Sequence, residues 1–316
     1  MTLKTITKFI CFVIPLLFTA GCTGISYGGS DHAQIGPENS GFDKAEIIAR
    51  ITSKEINESS GLAVSKCQPD VFWTQNDSGG GPFIYAIDST GRTIGTFRLP
   101  NVSNIDWEDI ASIKTSTGEC YLYIGEIGDN ERKRAVHVIY RIREPVLTKE
   151  SPTSRKDAAL TSAAEAIRFR YPDGMSDAEA LLVDPQLGNI YVVTKRFVGP
   201  ADIFKIEPSF DSNEEQTATK IAAISLPATP EGLVTGGDIS PDGKHVVFCD
   251  YYAGYELVLP ANSQSFDEIW KQKPSAFDLG PREIGEAVAF GNDSDTVYAT
   301  TERLNAPLIR VIRTKH

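Results

Sequence analysis

Histidine is scarce in this chain: four residues in 316, at positions 32, 137, 245 and 316. His32 lies in a polar N-terminal stretch, His137 inside a β-branched run, His245 at a turn and His316 at the terminus. None falls in the loops that the repeats described below mark as a site. A Ser-His-Asp hydrolase and a zinc centre built on imidazole are therefore disfavoured, and a catalytic cysteine would lack its base. Positive charge is also short. Lys and Arg number 31 against 42 Asp and Glu, a net charge of −11, which argues against a nucleic-acid partner. Only Phe9–Phe18 is a long apolar run, and at ten residues it falls short of the roughly 20 that a membrane span needs. The glycine-rich Asn76-Asp77-Ser78-Gly79-Gly80-Gly81 has neither the lysine nor the helix of a phosphate-binding loop. It reads as a tight turn, and no nucleotide or haem is expected.

What is present begins with an export signal. Lys4 and Lys8 precede the apolar run, and Thr19-Ala20-Gly21-Cys22 follows it as a small-residue cleavage site. A cysteine directly after Ala-Gly resembles a lipobox, with Thr19 where leucine is usual, so residues 1–21 are expected to be removed and Cys22 to carry lipid. Thr23, rather than Asp, follows Cys22, which resembles the sorting signal for the outer membrane. Residues 22–44, rich in Gly, Ser, Asn and Asp, are expected to form a flexible tether. Loss of Lys4 and Lys8 takes the net charge from −11 to −13. Residues 45–316 are left as one large β domain, lipid-anchored and facing the periplasm. Of the five cysteines, Cys67 and Cys120 take neighbouring places in successive repeats and are candidates for a disulfide in an oxidising compartment. Cys249, inside Val246-Val247-Phe248-Cys249, reads as a buried small hydrophobe.

The domain is repetitive. Five short apolar runs centre on Leu62, Ile110, Leu181, Ile239 and Val288, at spacings of 48, 71, 58 and 49 residues. Periods of this size suit propeller blades. Each run leads into a turn and further β-branched or aromatic strands, such as Ile190–Thr194 and Ile203–Ile206. The last repeat ends at Ile309-Arg310-Val311-Ile312 with only three strands, and a spare strand, Glu46–Ile51, stands before the first. An N-terminal strand completing the last blade would close the ring and cover two sheet edges. The expected fold is an all-β, five-bladed propeller, with six blades as the alternative. The long second interval is assigned to a polar insertion, Pro145–Ser162.

In an antiparallel meander, the approach to the first strand and the exit from the second share a face. The unusual residues gather at those two places. Approaches carry Glu58, Asp106-Trp107-Glu108-Asp109, Asp177-Ala178-Glu179, Asp238 and Glu286. Exits carry Asn76-Asp77, Glu126, Asp129-Asn130, Lys195-Arg196 and Glu302-Arg303. Carboxylates crowded on an axis raise one another's pKa, and a divalent cation relieves this. Oxygen ligands favour Ca²⁺ or Mg²⁺. The candidate metal ligands are Glu58, Glu108, Glu179, Asp238 and Glu286; the candidate ligand-binding residues are Asn76, Asp77, Asp129 and Asn130. Candidates for catalysis are Glu108, Glu179, Lys195, Arg196 and Arg303. The alternative is that the same carboxylates cap turns and pair with Lys195, Arg196 and Arg303. Trp107 is expected to pack between blades.

With Asn76-Asp77-Ser78-Gly79, Asp106-Trp107-Glu108-Asp109-Ile110-Ala111, Gly125-Glu126-Ile127-Gly128-Asp129-Asn130, Asp177-Ala178-Glu179-Ala180-Leu181 and Gly285-Glu286-Ala287 in view, residues 56–303 resemble a family of uncharacterised secreted bacterial propeller-like proteins. Glu126 stands where that family's pattern often has Asp. The resemblance implies a propeller and no particular activity. A looser similarity, to calcium-dependent phytase-like and lactonase-like propellers, implies metal at the axial mouth. Two functions are expected to compete. The first is a lipid-anchored binding or scaffold propeller whose acidic mouth takes a cation, ligand or partner. The second is a metal-dependent hydrolase of a phosphoester or lactone, with Lys195, Arg196 and Arg303 holding the anion.

Overall fold

The computed structural model describes residues 41–210 and 214–314. The expected signal 1–21, the lipidation site Cys22 and most of the tether 22–44 lie outside the described residues, as do His32 and His316. Among the described residues no helix is long and apolar enough to cross a membrane.

Five sheets, each built on a four-stranded antiparallel meander, succeed one another around the ring. Blade 1 is built from Ser59–Val64, Phe72–Asn76, Phe83–Ile87 and Thr93–Arg98, and blade 2 from Trp107–Lys114, Cys120–Glu126, His137–Arg143 and Glu165–Arg170. Blade 3 takes Ala178–Val183, Ile190–Thr194, Ala201–Ile206 and Thr219–Ile224; blade 4 takes Gly236–Ile239, His245–Cys249, Ala253–Val258 and Ser275–Asp278. Blade 5 has Gly285–Phe290, Thr296–Thr301 and Pro307–Ile312 from the C-terminus, and its fourth strand is the N-terminal Glu46–Arg50. Glu46 pairs with Arg310, Ile47 with Ile309 and Arg50 with Pro307. The ring is closed as the unpaired segments implied. Five blades, not six, form it. Packed structure begins slightly before the closing strand: Phe42 bridges Arg313 and stacks on Phe277 at 4.0 Å between ring centroids.

Ring closure is visible in the core. The buried apolar residues fall into five clusters, one at each junction between neighbouring blades. The cluster joining blade 5 to blade 1 sets Ala287, Ala289 and Leu308 against Leu62, Val64 and Phe72. Each sheet is thus covered on both faces. This is why the innermost strands Ser59–Val64, Ala178–Val183 and Gly285–Phe290 are buried at every position and read as continuous apolar runs instead of alternating ones. Outer strands do alternate; Glu165–Arg170 buries Ile167 and Phe169 and exposes the residues between. Trp107 is fully buried in the cluster between blades 1 and 2.

The 145–162 insertion is not a free loop. Its end, Ala159–Leu160, pairs in parallel with Phe97 and Arg98 at the outer edge of blade 1. Arg155 donates from its backbone N to Glu55 Oε2 at 2.8 Å and from Nη2 to Glu55 O at 2.6 Å. Gln216–Thr217 adds itself to blade 2 in the same way. Both outer edges are thereby covered. Two 3₁₀ helices among the described residues escaped the strand pattern, a short one at Arg155–Asp157 and a longer one at Phe266–Lys271. Phe266, Ile269 and Trp270 of the longer one pack into the cluster between blades 3 and 4, and its Asp267 accepts from Tyr191 Oη at 2.6 Å. On the face opposite the candidate site, Cys67 and Cys120 form a disulfide tying blade 1 to blade 2, with Cα atoms 6.1 Å apart. Cys249 is a buried free thiol.

Candidate functional site

The site originates in a repeated irregularity. In four blades the pairing of the first two strands slips by one residue: between Ser59 and Gly61, Trp107 and Asp109, Ala178 and Ala180, and Gly285 and Ala287. The skipped residues are Ser60, Glu108, Glu179 and Glu286. A bulge leaves its extra residue unpaired and re-aims the side chain, and here the re-aimed groups meet one another. In blade 4 the corresponding residue is Gly237, which pairs regularly with Phe248, and no bulge forms. The hub therefore receives three glutamates, one serine and no side chain from blade 4.

Glu108 is its centre. Carboxylate oxygens of Glu108, Asp77 and Asp106 lie within 4.8 Å of one another, and so do those of Glu108, Asp177 and Glu179. Glu108 is 2% exposed, and its Oε1 has no hydrogen-bond partner among the described residues. Its backbone is held firmly: the carbonyl accepts from Ser60 Oγ at 2.5 Å and from Gln75 Nε2 at 3.2 Å. Gly128 presses on the cluster from the exit of blade 2. A β-carbon there would stand 1.9 Å from Glu108 Oε1 and 2.7 Å from Asp106 Cγ, so only glycine lets the loop come this close. The buried cation of the cluster is Lys195, ion-paired with Glu179; the two side chains are 7% and 1% exposed.

Burial and mutual repulsion shift the acids upward. Glu108 is held well above the carboxylate range by burial, then by Glu179, Asp77 and Asp106. Burial, Asp77 and Asp177 push Asp106 up to about 7. Burial also brings Glu179 to about 7, with Lys195 opposing it. Glu286 rises to about 10 through burial, Glu179 and Glu302. For Lys195 burial acts against the charge, but Glu179 outweighs it and the pKa is raised. Near pH 7 the hub thus holds one fixed cation and several carboxylates that retain or share protons.

Not every residue marked in the sequence joins this group. Asp238 is one residue past the bulge position. It accepts from Ile239 N and Phe290 N, both at 2.8 Å, and latches blade 4 to blade 5. Asp109 does the same for blades 2 and 3, accepting from Leu181 N at 2.9 Å. Glu58 lies half-buried at the rim, where its N donates to Asn76 Oδ1 at 3.3 Å. Asn76 is a clasp, its Nδ2 donating to Glu55 O at 2.8 Å. Asp129 accepts from Lys133 N and Arg134 N at 2.9 and 2.8 Å and shapes its own loop, while Asn130 is exposed. Arg196 turns outward to pair with Asp202. Arg303 pairs with Glu283 at 3.3 Å, both side chains largely in solvent. The expected convergence of Arg196 and Arg303 with Lys195 is therefore corrected: Arg196, past the end of Ile190–Thr194, bridges Gly232 and is paired with Asp202, and Arg303 sits in a left-handed turn with φ 81°. Conversely, Asp106 and Asp177 belong to the cluster although only the glutamates two residues later were selected. The repeated Asp-x-Glu of Asp106-Trp107-Glu108 and Asp177-Ala178-Glu179 was the available signal.

A five-bladed β-propeller with a buried acidic hub is the class these features define. No protein-family profile matches the chain, and no curated protein is similar to it in sequence. Among solved structures it is similar to the soluble aldose sugar dehydrogenase of Escherichia coli in its apo form, at 10% identity over 86% of this chain and 99% of that one, with a TM-score of 0.45. It is also similar to a chain of a nidogen/laminin complex, at 14% identity over 78% of this chain and 73% of that one, with a TM-score of 0.40. Both likenesses are distant.

Proposed function

We propose that this protein is a lipid-anchored envelope propeller, attached through Cys22 to the outer membrane and facing the periplasm, whose hub binds a divalent cation as part of a binding or scaffold role. One observation carries the reading: Glu108 Oε1 is buried and unpartnered among carboxylates that reach it from two sides. A charge so placed is costly unless it is neutralised or paired, and Ca²⁺ or Mg²⁺ matches an all-oxygen donor set. Asp77, Asp106, Glu108, Asp177 and Glu179 would hold the ion, and its binding would release the protons that Asp106, Glu108 and Glu179 retain.

The test is thermal unfolding in chelator and then in Ca²⁺, Mg²⁺ or Mn²⁺. Binding to the folded state raises the Tm, the rise is lost in Glu108→Gln, and an unbuffered titration acidifies. No rise with any of the three ions removes the cation from the reading.

A second reading, a hydrolase of a phosphoester or lactone, is favoured by Asp106 and Glu179. Their pKa values of about 7 beside Lys195 suit general acid–base work. Hydrolysis of a phosphoester or lactone panel that is lost in both Glu108→Gln and Glu179→Gln would establish it. Turnover surviving both changes would place any activity elsewhere.

A further inference from the structure

A second concave site lies on the same face, at the seam where the ring closes. A cavity of about 500 Å³ is bounded by Arg50 of the closing strand, Arg282 before blade 5, and Arg303 and Leu304 in the turn after Thr296–Thr301. The size is within the range of small-molecule sites. Three arginines from three separate segments line it, with Glu283 and Glu302, in a chain that is otherwise acidic. Arg282 is anchored through Nη2 to the carbonyls of Asp250 and Ala253, at 3.1 and 3.3 Å. Its Nε and Nη1 are buried and the guanidinium also bonds to the Cys249 side chain, so it braces the cavity from behind. Arg303 is held at φ 81° and Asn305 at φ 60°, a conformation that non-glycine residues seldom adopt and that recurs at ligand sites. Among the described residues Arg303 pairs with Glu283, in an ion pair whose side chains are 64% and 77% exposed; such a pair contributes little and a ligand can displace it. The remaining wall is apolar, with Leu304 57% exposed alongside Pro281 and Pro307.

The geometry points to a binding site for a small organic anion at this seam. Arg303 holds its carboxylate or phosphate in forked hydrogen bonds, Arg282 adds its charge from behind, and Leu304 with the two prolines covers its apolar body. Arg50, whose Nη1 donates to Asn305 O at 3.0 Å, positions the turn and adds charge. The site is distinct from the hub, although Glu302 touches both: it lines the cavity and interacts with Glu286.

The test uses phenyl phosphate and benzoate as probes and benzamide as the neutral isostere of benzoate. Calorimetric titration is made into the full mature chain with chelator present, so that the hub cation plays no part. Either anion binds at millimolar concentration or tighter, and benzamide binds at least tenfold more weakly. Arg303→Gln weakens the anions about tenfold, the effect of losing one charge-assisted contact, and Leu304→Glu abolishes binding. Which of the two probes binds better assigns the head group. Arg303→Gln keeps the Ca²⁺-dependent Tm rise of wild type, so failure here and failure of the hub reading are separable. Absence of binding by both anions, equal binding of benzamide, or unchanged affinity in Arg303→Gln overturns the proposal.

Discussion

Replacing Lys195 by Met tests the electrostatics of the hub directly. The ammonium is 7% exposed and its partner Glu179 is 1% exposed, so solvent can screen neither. Methionine keeps most of the volume and removes the charge. Breaking a buried pair from one side costs about 3–5 kcal/mol, because the remaining charge is stranded. Here the cost depends on pH. The folded pKa of Glu179, about 7, lies above its unfolded value of 4.5. The stability tied to its protonated form is therefore complete below pH 4.5 and is lost as pH rises through 7. Without Lys195 the folded pKa climbs further, and the loss continues above pH 7 at up to about 1.4 kcal/mol per pH unit. Urea unfolding in chelator should show Lys195→Met costing little at pH 5, about 1.4 kcal/mol at pH 8 and about 3 kcal/mol at roughly pH 9.5. Adding Glu179→Gln should restore about 2 kcal/mol or more at the highest of these pH values, as expected of residues in contact. A cost below about 1 kcal/mol at pH 8, or no rescue by the second change, would refute the reasoning that the pair is a buried electrostatic unit.

Three further outcomes are expected. Asp106, Glu286 and Asp238 have folded pKa values raised to about 7, 10 and 6, each above its unfolded value, so cation-free stability should fall as pH rises from 5 to 10; differential scanning calorimetry with and without 5 mM Ca²⁺, roughly a saturating dose for a weak site, checks this and should show a flatter fall with the ion. Gly128→Ala must displace Glu108 Oε1, which is 1.9 Å from the new methyl; a loss of about 1–3 kcal/mol, accompanied by loss of the Ca²⁺-dependent Tm rise, is the predicted result. Replacing Cys67 and Cys120 by Ser opens a loop with a sequence separation of 53 and should lower unfolding free energy by about 2–4 kcal/mol, measured in denaturant against the oxidised wild type.

Sequence alone determined the circular architecture. A spare strand at Glu46–Arg50 and a three-stranded last repeat can satisfy their edges only by meeting, and continuous apolar runs such as Ala180–Val183 call for cover on both faces. It also placed Glu108, Glu179 and Glu286 at one position of the repeat. It did not separate residues one place apart. Asp238 and Arg196 looked equivalent to hub residues, yet Asp238, one place past the bulge position, turns to Phe290 N, and Arg196, past the strand end, turns to Asp202. The one-residue bulges decide which side chain turns inward, and bulges leave no mark in composition. The docking of Ala159–Leu160 on blade 1 and of Phe266–Lys271 between blades 3 and 4, and the meeting of Arg50, Arg282 and Arg303 at the seam, were likewise settled only in three dimensions. Contacts between segments so distant along the chain depend on how neighbouring sheets twist and pack, and no local pattern of residues encodes that.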